Sequence, residues 1–166
     1  MYGEDFAKLI KDYSASAHMQ SSGIGVIKSN SEKSKHLETA TIRVEGQWID
    51  FVNLRSEKYT EDSRVPQIEI GTPEEDAYRR DLTINSMFYN INEQKVEDFT
   101  KMGRADLKAG VIRTPLDPVQ TFLDDPLRIL RAVRFANRFE FSLDPAICLA
   151  AQDIKIRVSF ILTLKL

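Results

Sequence analysis

Four of the six prolines in this chain stand directly behind a side chain able to cap a helix: Thr72-Pro73, Asp117-Pro118, Asp125-Pro126 and Asp144-Pro145. Proline has its φ torsion pre-set for the first helical turn, and the preceding oxygen takes up an otherwise orphaned N–H, so each pair predicts a helix start. At Thr72 the signal is doubled, because Glu75 completes a capping box. From Pro118 onward the pattern reads as helical throughout.

Before residue 72 the period is different. Thr39 to Val44 alternates, Glu45-Gly46 is a tight turn, and Gln47 to Arg55 alternates again with β-branched and aromatic residues, which predicts a hairpin. A third strand is expected over Met87 to Ile91, returning through Asn92-Glu93-Gln94 into Lys95 to Phe99. The fold class is therefore α+β: an antiparallel-rich sheet with helices, followed by a helical section, with the boundary between Phe99 and Pro118. In the first 38 residues, Phe6, Leu9, Ile10 and Tyr13 recur at helical spacing, Gly23 to Ile27 reads as a strand, and Ser29 to Lys35 reads as a polar surface loop. At the other end, Val158, Phe160, Leu162, Leu164 and Leu166 alternate with Ser159, Ile161, Thr163 and Lys165. That is a strand pattern behind a helical region, and an aggregation hazard if exposed.

Composition narrows the function classes. With 166 residues, 42% apolar and 29% charged, the chain has room for one core or two small ones. Its formal charge of -2 excludes a binder of nucleic acid by bulk charge alone. From residue 126 on, however, seven bases stand against three acids, so the C-terminal part suits a polyanion. The single cysteine, Cys148, excludes an internal disulfide and reads as a small buried thiol in an apolar helical run. His18 and His36 form no zinc signature. No stretch is long enough to span a bilayer, and a terminus carrying Glu4 and Asp5 lacks a secretory pattern, so no membrane partner is expected.

Three places hold residues suited to chemistry. Asp50 alternates onto the same strand face as Trp48, Val52 and Leu54, which makes it either a metal-ligand candidate on an apolar face or a carboxylate near an open edge. The helix expected from Pro73 contains Arg79-Arg80-Asp81-Leu82-Thr83-Ile84-Asn85-Ser86, where guanidinium forks suit phosphate oxygens and Asp81 and Asn85, one turn apart, suit sugar hydroxyls or base edges; the plainer reading is a solvated helix face. Asp125 and Arg128 lie about 60° apart on the next helix, and Arg131, Arg134 and Arg138 form a stripe beside them. An acceptor and a donor side by side can read a base edge; alternatively, Asp125 only caps and Arg128 snorkels.

In order along the chain, KHLETATIRVEGQWIDFVNLRSEKY, RRDLTINSMFYNI, VEDFTKMGRADLKAG and TFLDDPLRILRAVRFANRF cover most of residues 35 to 141. Together they resemble the class II tRNA nucleotidyltransferases, the CCA-adding enzymes, in their eukaryotic plant and fungal form. The resemblance implies a partial nucleotidyltransferase head over residues 1–99, a helical neck over 100–157 and a divergent apolar tail over 158–166. It implies CTP and ATP as substrates, the tRNA 3' end as acceptor and Mg2+ as cofactor. It makes Asp50 a third active-site carboxylate, puts Arg79, Arg80, Asp81 and Asn85 in the motif that contacts ribose and triphosphate, and sets Asp98 and Gly103 in the connector between head and neck. Asp125 and Arg128 match the pair that hydrogen-bonds the incoming nucleotide in place of a template, and Arg131, Arg134 and Arg138 would face RNA.

The family's Gly-Gly motif and its Asp-X-Asp metal ligands are not in this sequence. The expectation is a chain truncated at both ends, with an incomplete metal site at Asp50 and no catalysis alone. The rival expectations are a non-catalytic product that binds nucleotide or RNA or pairs with a full-length subunit, and a relative of the bacterial-type poly(A) polymerases. Location is open among cytoplasm, nucleus, mitochondrion and plastid.

Overall fold

The chain enters through helix α1 (Gly3–Ser16), followed by a short strand β1 (Gly25–Ile27), β2 (Thr39–Val44) and β3 (Gln47–Val52). The computed structural model describes residues 2–27, 38–60 and 63–164; the loop expected over Ser29 to Lys35 lies outside them. Strands β1, β2 and β3 form one antiparallel sheet in that order. Glu45 and Gly46, at φ 46° and 81°, make the two-residue turn between β2 and β3, the backbone geometry that matches the twist of a hairpin. Cross-strand partners Ile42↔Ile49 and Ala40↔Phe51 share one face, and α1 packs against that face with Ala7 buried and Phe6 edge-on to Phe51 at 5.2 Å. Gly3 allows the approach, since a Cβ there would stand 2.6 Å from the Phe51 carbonyl oxygen.

Two strands absent from the sequence reading follow: β4 (Arg55–Thr60) and β5 (Ser63–Ile70), an antiparallel pair. The alternation expected to run unbroken to Arg55 stops at Val52, and a new strand begins at Arg55.

Residues Met1–Ile70 and Gly71–Leu166 are two separate compact units. The second opens with α2 (Pro73–Tyr78), whose capping box is complete: the Glu75 N–H donates to Thr72 Oγ1 at 3.2 Å, and the Thr72 N–H to Glu75 Oε2 at 2.7 Å. The helix expected to continue through Ser86 ends at Tyr78, and Thr83–Asn85 form a separate turn of 3-10 helix. Strands β6 (Phe88–Asn90) and β7 (Lys95–Glu97) are the predicted second hairpin. Then come α3 (Gly103–Ala109), β8 (Val111–Ile112), α4 (Pro118–Asp124), α5 (Leu127–Phe139), β9 (Ser142–Leu143), α6 (Pro145–Ala150) and α7 (Ile154–Leu164). Asp117, Asp125 and Asp144 each accept backbone N–H groups at the helix starts their prolines announce.

Leu82, Ile112, Phe122, Ala132, Ala136, Ile147, Ala150 and Ile156 make the core of this second unit. Three expectations need correction. The region after Pro118 is not helical throughout, because β9 pairs in parallel with β8. Cys148 is exposed rather than buried, since the six-residue α6 turns Ile147 and Ala150 inward. The terminal alternation makes no strand up to Leu164, its last two residues lying outside the described ones: Asp153 accepts the Lys155 N–H at 2.7 Å, starting α7, and Ile156 anchors that helix in the core. Among the described residues, no helix is long and apolar enough to cross a membrane.

Gly103 sits at a close approach between α3 and the 3-10 turn. A Cβ there would meet the Thr83 carbonyl oxygen at 2.6 Å and the Met87 side chain at 2.9 Å. Gly103→Ala is expected to destabilise the protein by about 1–3 kcal/mol, the usual cost of overpacking, read as a lowered midpoint in urea unfolding.

Candidate functional site

The segment between α2 and β6 is held by two carboxylates. Asp76, only 1% exposed, accepts Arg79 through Oδ2, from Nη2 at 2.7 Å and Nε at 3.2 Å, and Arg80 through Oδ1, from Nε at 2.8 Å. Arg80 also donates from Nη1 to the Asn85 carbonyl oxygen at 2.9 Å, and its guanidinium lies 5.0 Å from the centre of the Phe88 ring. Spacing of i to i+3 and i+4 is what lets one carboxylate on a short helix take both arginines. Asp76 was not singled out from the sequence, though that spacing was available.

Asp81, 7% exposed, is the second. Its Oδ1 accepts from Asn85 Nδ2 at 3.0 Å and its Oδ2 from Arg131 Nε, on α5, at 2.5 Å. Burial works to raise the Asp81 pKa, but the hydrogen bonds from Arg131 and Asn85, with the Arg131 charge, outweigh it and leave the carboxyl below its ordinary range. Asp81 in turn raises the Arg131 pKa through their hydrogen bond; burial opposes this, and the charges of Asp81 and Asp125 add to it. Next to this pair, the Thr83 hydroxyl donates to Asp106 Oδ2 at 2.7 Å, and Arg113 lies within ion-pair distance of Asp106 and Asp144, at 3.4 and 3.2 Å. The 3-10 turn is therefore pinned at Thr83 as well as at Asn85.

The structure thus brings Asp81, Asn85 and Arg131 together, and joins Arg79 and Arg80 through Asp76. Asp125 sits in the corner between α4 and α5, accepting the Leu127 N–H at 3.1 Å, and half-buried Arg128 follows in the first turn of α5. Arg134 and Arg138 are exposed, lying 5.4 Å from the Phe135 ring centre and 5.8 Å from that of Phe139. Asp98 accepts the Arg104 N–H at 3.0 Å and the Thr100 hydroxyl at 2.8 Å, bracing the start of α3.

In the first unit, Asp50 is exposed, and its Oδ1 accepts the Thr41 hydroxyl at 2.6 Å. Trp48 and Val52, on the same face, are 67% and 55% exposed. Of the two readings of Asp50, the exposed one holds: the face that carries it is open, because α1 covers the opposite one. A cleft of about 270 Å³ lined by Tyr2, Gly3, Phe6 and Asp50 lies beside it. Among the described residues, no group of three or more His, Cys, Asp or Glu could hold a metal ion.

Residues 1–113 match the Poly A polymerase head domain family, and the chain belongs to that family. It is 56% identical over 165 residues to the mitochondrial CCA tRNA nucleotidyltransferase of Saccharomyces cerevisiae, covering 96% of this chain and 30% of that protein. The solved structure of a CCA-adding enzyme in apo form II superposes with a TM-score of 0.72 at 30% identity, over 92% of this chain and 34% of that one. A tRNA nucleotidyltransferase complexed with a primer tRNA and an incoming ATP analog superposes at 0.59 and 27% identity, over 95% of this chain and 39% of that one. The chain therefore spans about a third of the length of these relatives.

Removing the Asp76 carboxylate leaves two guanidiniums without their shared acceptor. Asp76→Ala is expected to cost about 3 kcal/mol, measured by urea unfolding, with Arg79→Ala costing less because one guanidinium still holds the carboxylate. Asp81 makes a separate prediction. Its lowered pKa contributes stability that is fully present above the ordinary carboxylate range and is lost as the pH falls through and below that range. Acid titration of the unfolding midpoint should therefore be steeper in the wild-type chain than in Asp81→Asn.

Proposed function

We propose that the chain carries the nucleotide-binding and nucleotide-selecting segments of an enzyme that adds C, C and A to the 3' end of tRNA from CTP and ATP. The observation that supports this best is the similarity, across nearly all of the chain, to a CCA tRNA nucleotidyltransferase. In this reading residues 1–99 belong to the head and 100–157 to the neck. Arg79, Arg80, Asp81 and Asn85 serve the ribose and triphosphate, with the two guanidiniums held ready by Asp76. Asp125 and Arg128 offer an acceptor and a donor to the base edge, which distinguishes bases by hydrogen-bond pattern without a template strand. Arg134 and Arg138, exposed on α5, meet phosphates of the RNA, while Arg131 shares its charge with Asp81.

Magnesium belongs to this reaction class, with Asp50 as one carboxylate facing it. Among the described residues no group of three such donors forms, and Asp50, on an open strand face with one oxygen engaged by Thr41, does not fit the metal by itself. The mitochondrial name of the yeast relative supports that compartment among those expected.

The test uses the whole chain with CTP, ATP, UTP and GTP in equilibrium dialysis, and with tRNA lacking its terminal CCA in an incorporation assay. CTP and ATP are expected to bind in preference to UTP and GTP, with Arg128→Ala weakening both by about tenfold, within the range for one base-reading side chain. Incorporation is expected to be absent for the chain alone. Its appearance on adding a full-length family member would support subunit pairing. Binding that ignores the base, or that Arg128→Ala leaves unchanged, overturns the proposal; addition of A alone to any RNA points to a poly(A) polymerase.

A further inference from the structure

Trp48 is the only tryptophan of the chain, and it stands 67% exposed on the open face of the β1–β2–β3 sheet. Strand register fixes its neighbours there: Arg43 lies directly across on β2, Thr41 and Asp50 form the next pair, and Thr39, Val52 and Ile27 the one after. Beside Thr41, β1 contributes only Gly25, so no third side chain crowds the Asp50 row. The Arg43 guanidinium lies 5.9 Å from the centre of the indole and donates from Nε to the Gly46 carbonyl oxygen at 3.1 Å, so the cation beside the ring is itself tied to the hairpin turn. A large aromatic surface held in this way and left in water gains by being covered, and it loses little conformational freedom when a flat ligand covers it.

The neighbours say which ligand. Asp50 follows on the same face about 6.5 Å along the strand. Its Oδ1 accepts the Thr41 hydroxyl, and a carboxylate can accept about four hydrogen bonds, so it retains capacity for ligand hydroxyls. A flat ring on Trp48 joined to a hydroxylated ring over Asp50 is the outline of a nucleoside. Among the described residues this face carries one base, Arg43, and one carboxylate, Asp50. That balance suits the neutral hydroxyls of a terminal nucleoside, whereas the charge of a triphosphate would be repelled by Asp50.

We propose that Trp48 receives the base of the RNA's 3'-terminal nucleotide by stacking, with the ribose hydroxyls of that nucleotide over Asp50. This rests on the reading of the chain as part of an enzyme that extends the 3' end of tRNA. Stacking tolerates any base, because every base has a π-face. An acceptor site needs that tolerance, since the terminal base changes with each nucleotide added.

A single tryptophan is its own reporter. The whole chain is titrated with an RNA hairpin bearing one unpaired nucleotide at its 3' end, following tryptophan fluorescence and the anisotropy of a dye on the RNA's 5' end. The same hairpin with an abasic 3' nucleotide, the hairpin with a 3'-phosphate, and CTP alone serve as comparisons. The intact hairpin is expected to quench Trp48, and the abasic one to bind about five- to hundredfold more weakly without quenching, the range for one base on an aromatic side chain. Trp48→Ala is expected to lose the same factor and to treat the two hairpins alike, while Trp48→Phe, which keeps an aromatic ring and serves if the first variant fails to fold, still distinguishes them. The 3'-phosphate is expected to weaken binding through repulsion by Asp50, and Asp50→Asn to narrow that gap. Binding with unchanged fluorescence overturns the proposal, as does a Trp48→Ala variant that still discriminates against the abasic end. Quenching by CTP as strong as by the hairpin overturns it too, assigning Trp48 to the incoming nucleotide. Equal binding of the 3'-phosphate overturns the placement at Asp50, and an emission shift driven by protein concentration alone gives the face to a second copy of the chain. If anisotropy shows no RNA binding at all, the functional reading fails and the proposal falls with it.

Discussion

A carboxylate withdrawn from water keeps its charge only if donors replace the water, and two carboxylates in the Gly71–Leu166 unit meet that condition in a way that organises the rest. Asp76 takes two guanidiniums from the residues that directly follow its own short helix; Asp81 takes an amide four residues on and a guanidinium from a distant helix. The segment from Arg79 to Ser86 has little regular structure of its own, one turn of 3-10 helix. Its shape is imposed by these ion pairs, by the Thr83–Asp106 hydrogen bond and by the close approach of Gly103 to the Thr83 carbonyl. The frame also holds the two arginines, proposed to meet phosphate, in fixed positions, and a long cationic side chain left loose would lose conformational entropy on binding.

The two units differ in how much of their surface is matched by the chain itself. In the second, a continuous core runs from Leu82 through Phe122 and Ala132 to Ile156. In the first, α1 covers one face of a three-stranded sheet, while Trp48, Asp50 and Val52 stand on the other, exposed. A carboxylate in that setting is hydrated and held by one hydroxyl, which differs physically from a carboxylate buried among metal ligands. The chain spans about a third of the length of its relatives, and the residues proposed to meet the nucleotide are concentrated in the unit with the continuous core.

Much of the local structure was legible because it depends on near neighbours. A Thr or Asp before proline starts a helix whatever surrounds it, and all four such pairs do so here. Glu45-Gly46 closes a hairpin because both residues take positive φ. The terminal segment misled because period alone cannot tell a strand from a helix when apolar residues are dense; the Asp153 cap carried the correct signal. Cys148 misled for a related reason, since an apolar run in a six-residue helix cannot be buried on all sides.

The candidate site divides along the same line. That Arg79, Arg80, Asp81, Asn85, Asp125 and Arg128 belong to nucleotide chemistry was an expectation from the residues and the family they resemble, and the sequence by itself determined the helix starts, the hairpins and the α+β class. Only the tertiary structure decided that Arg131 turns to Asp81, that Asp76 is the anchor of two arginines, and that the face bearing Asp50 is open. The reason is physical. Caps and turns are settled by hydrogen bonds within a few residues, whereas an ion pair across fifty positions depends on where packing brings two elements together.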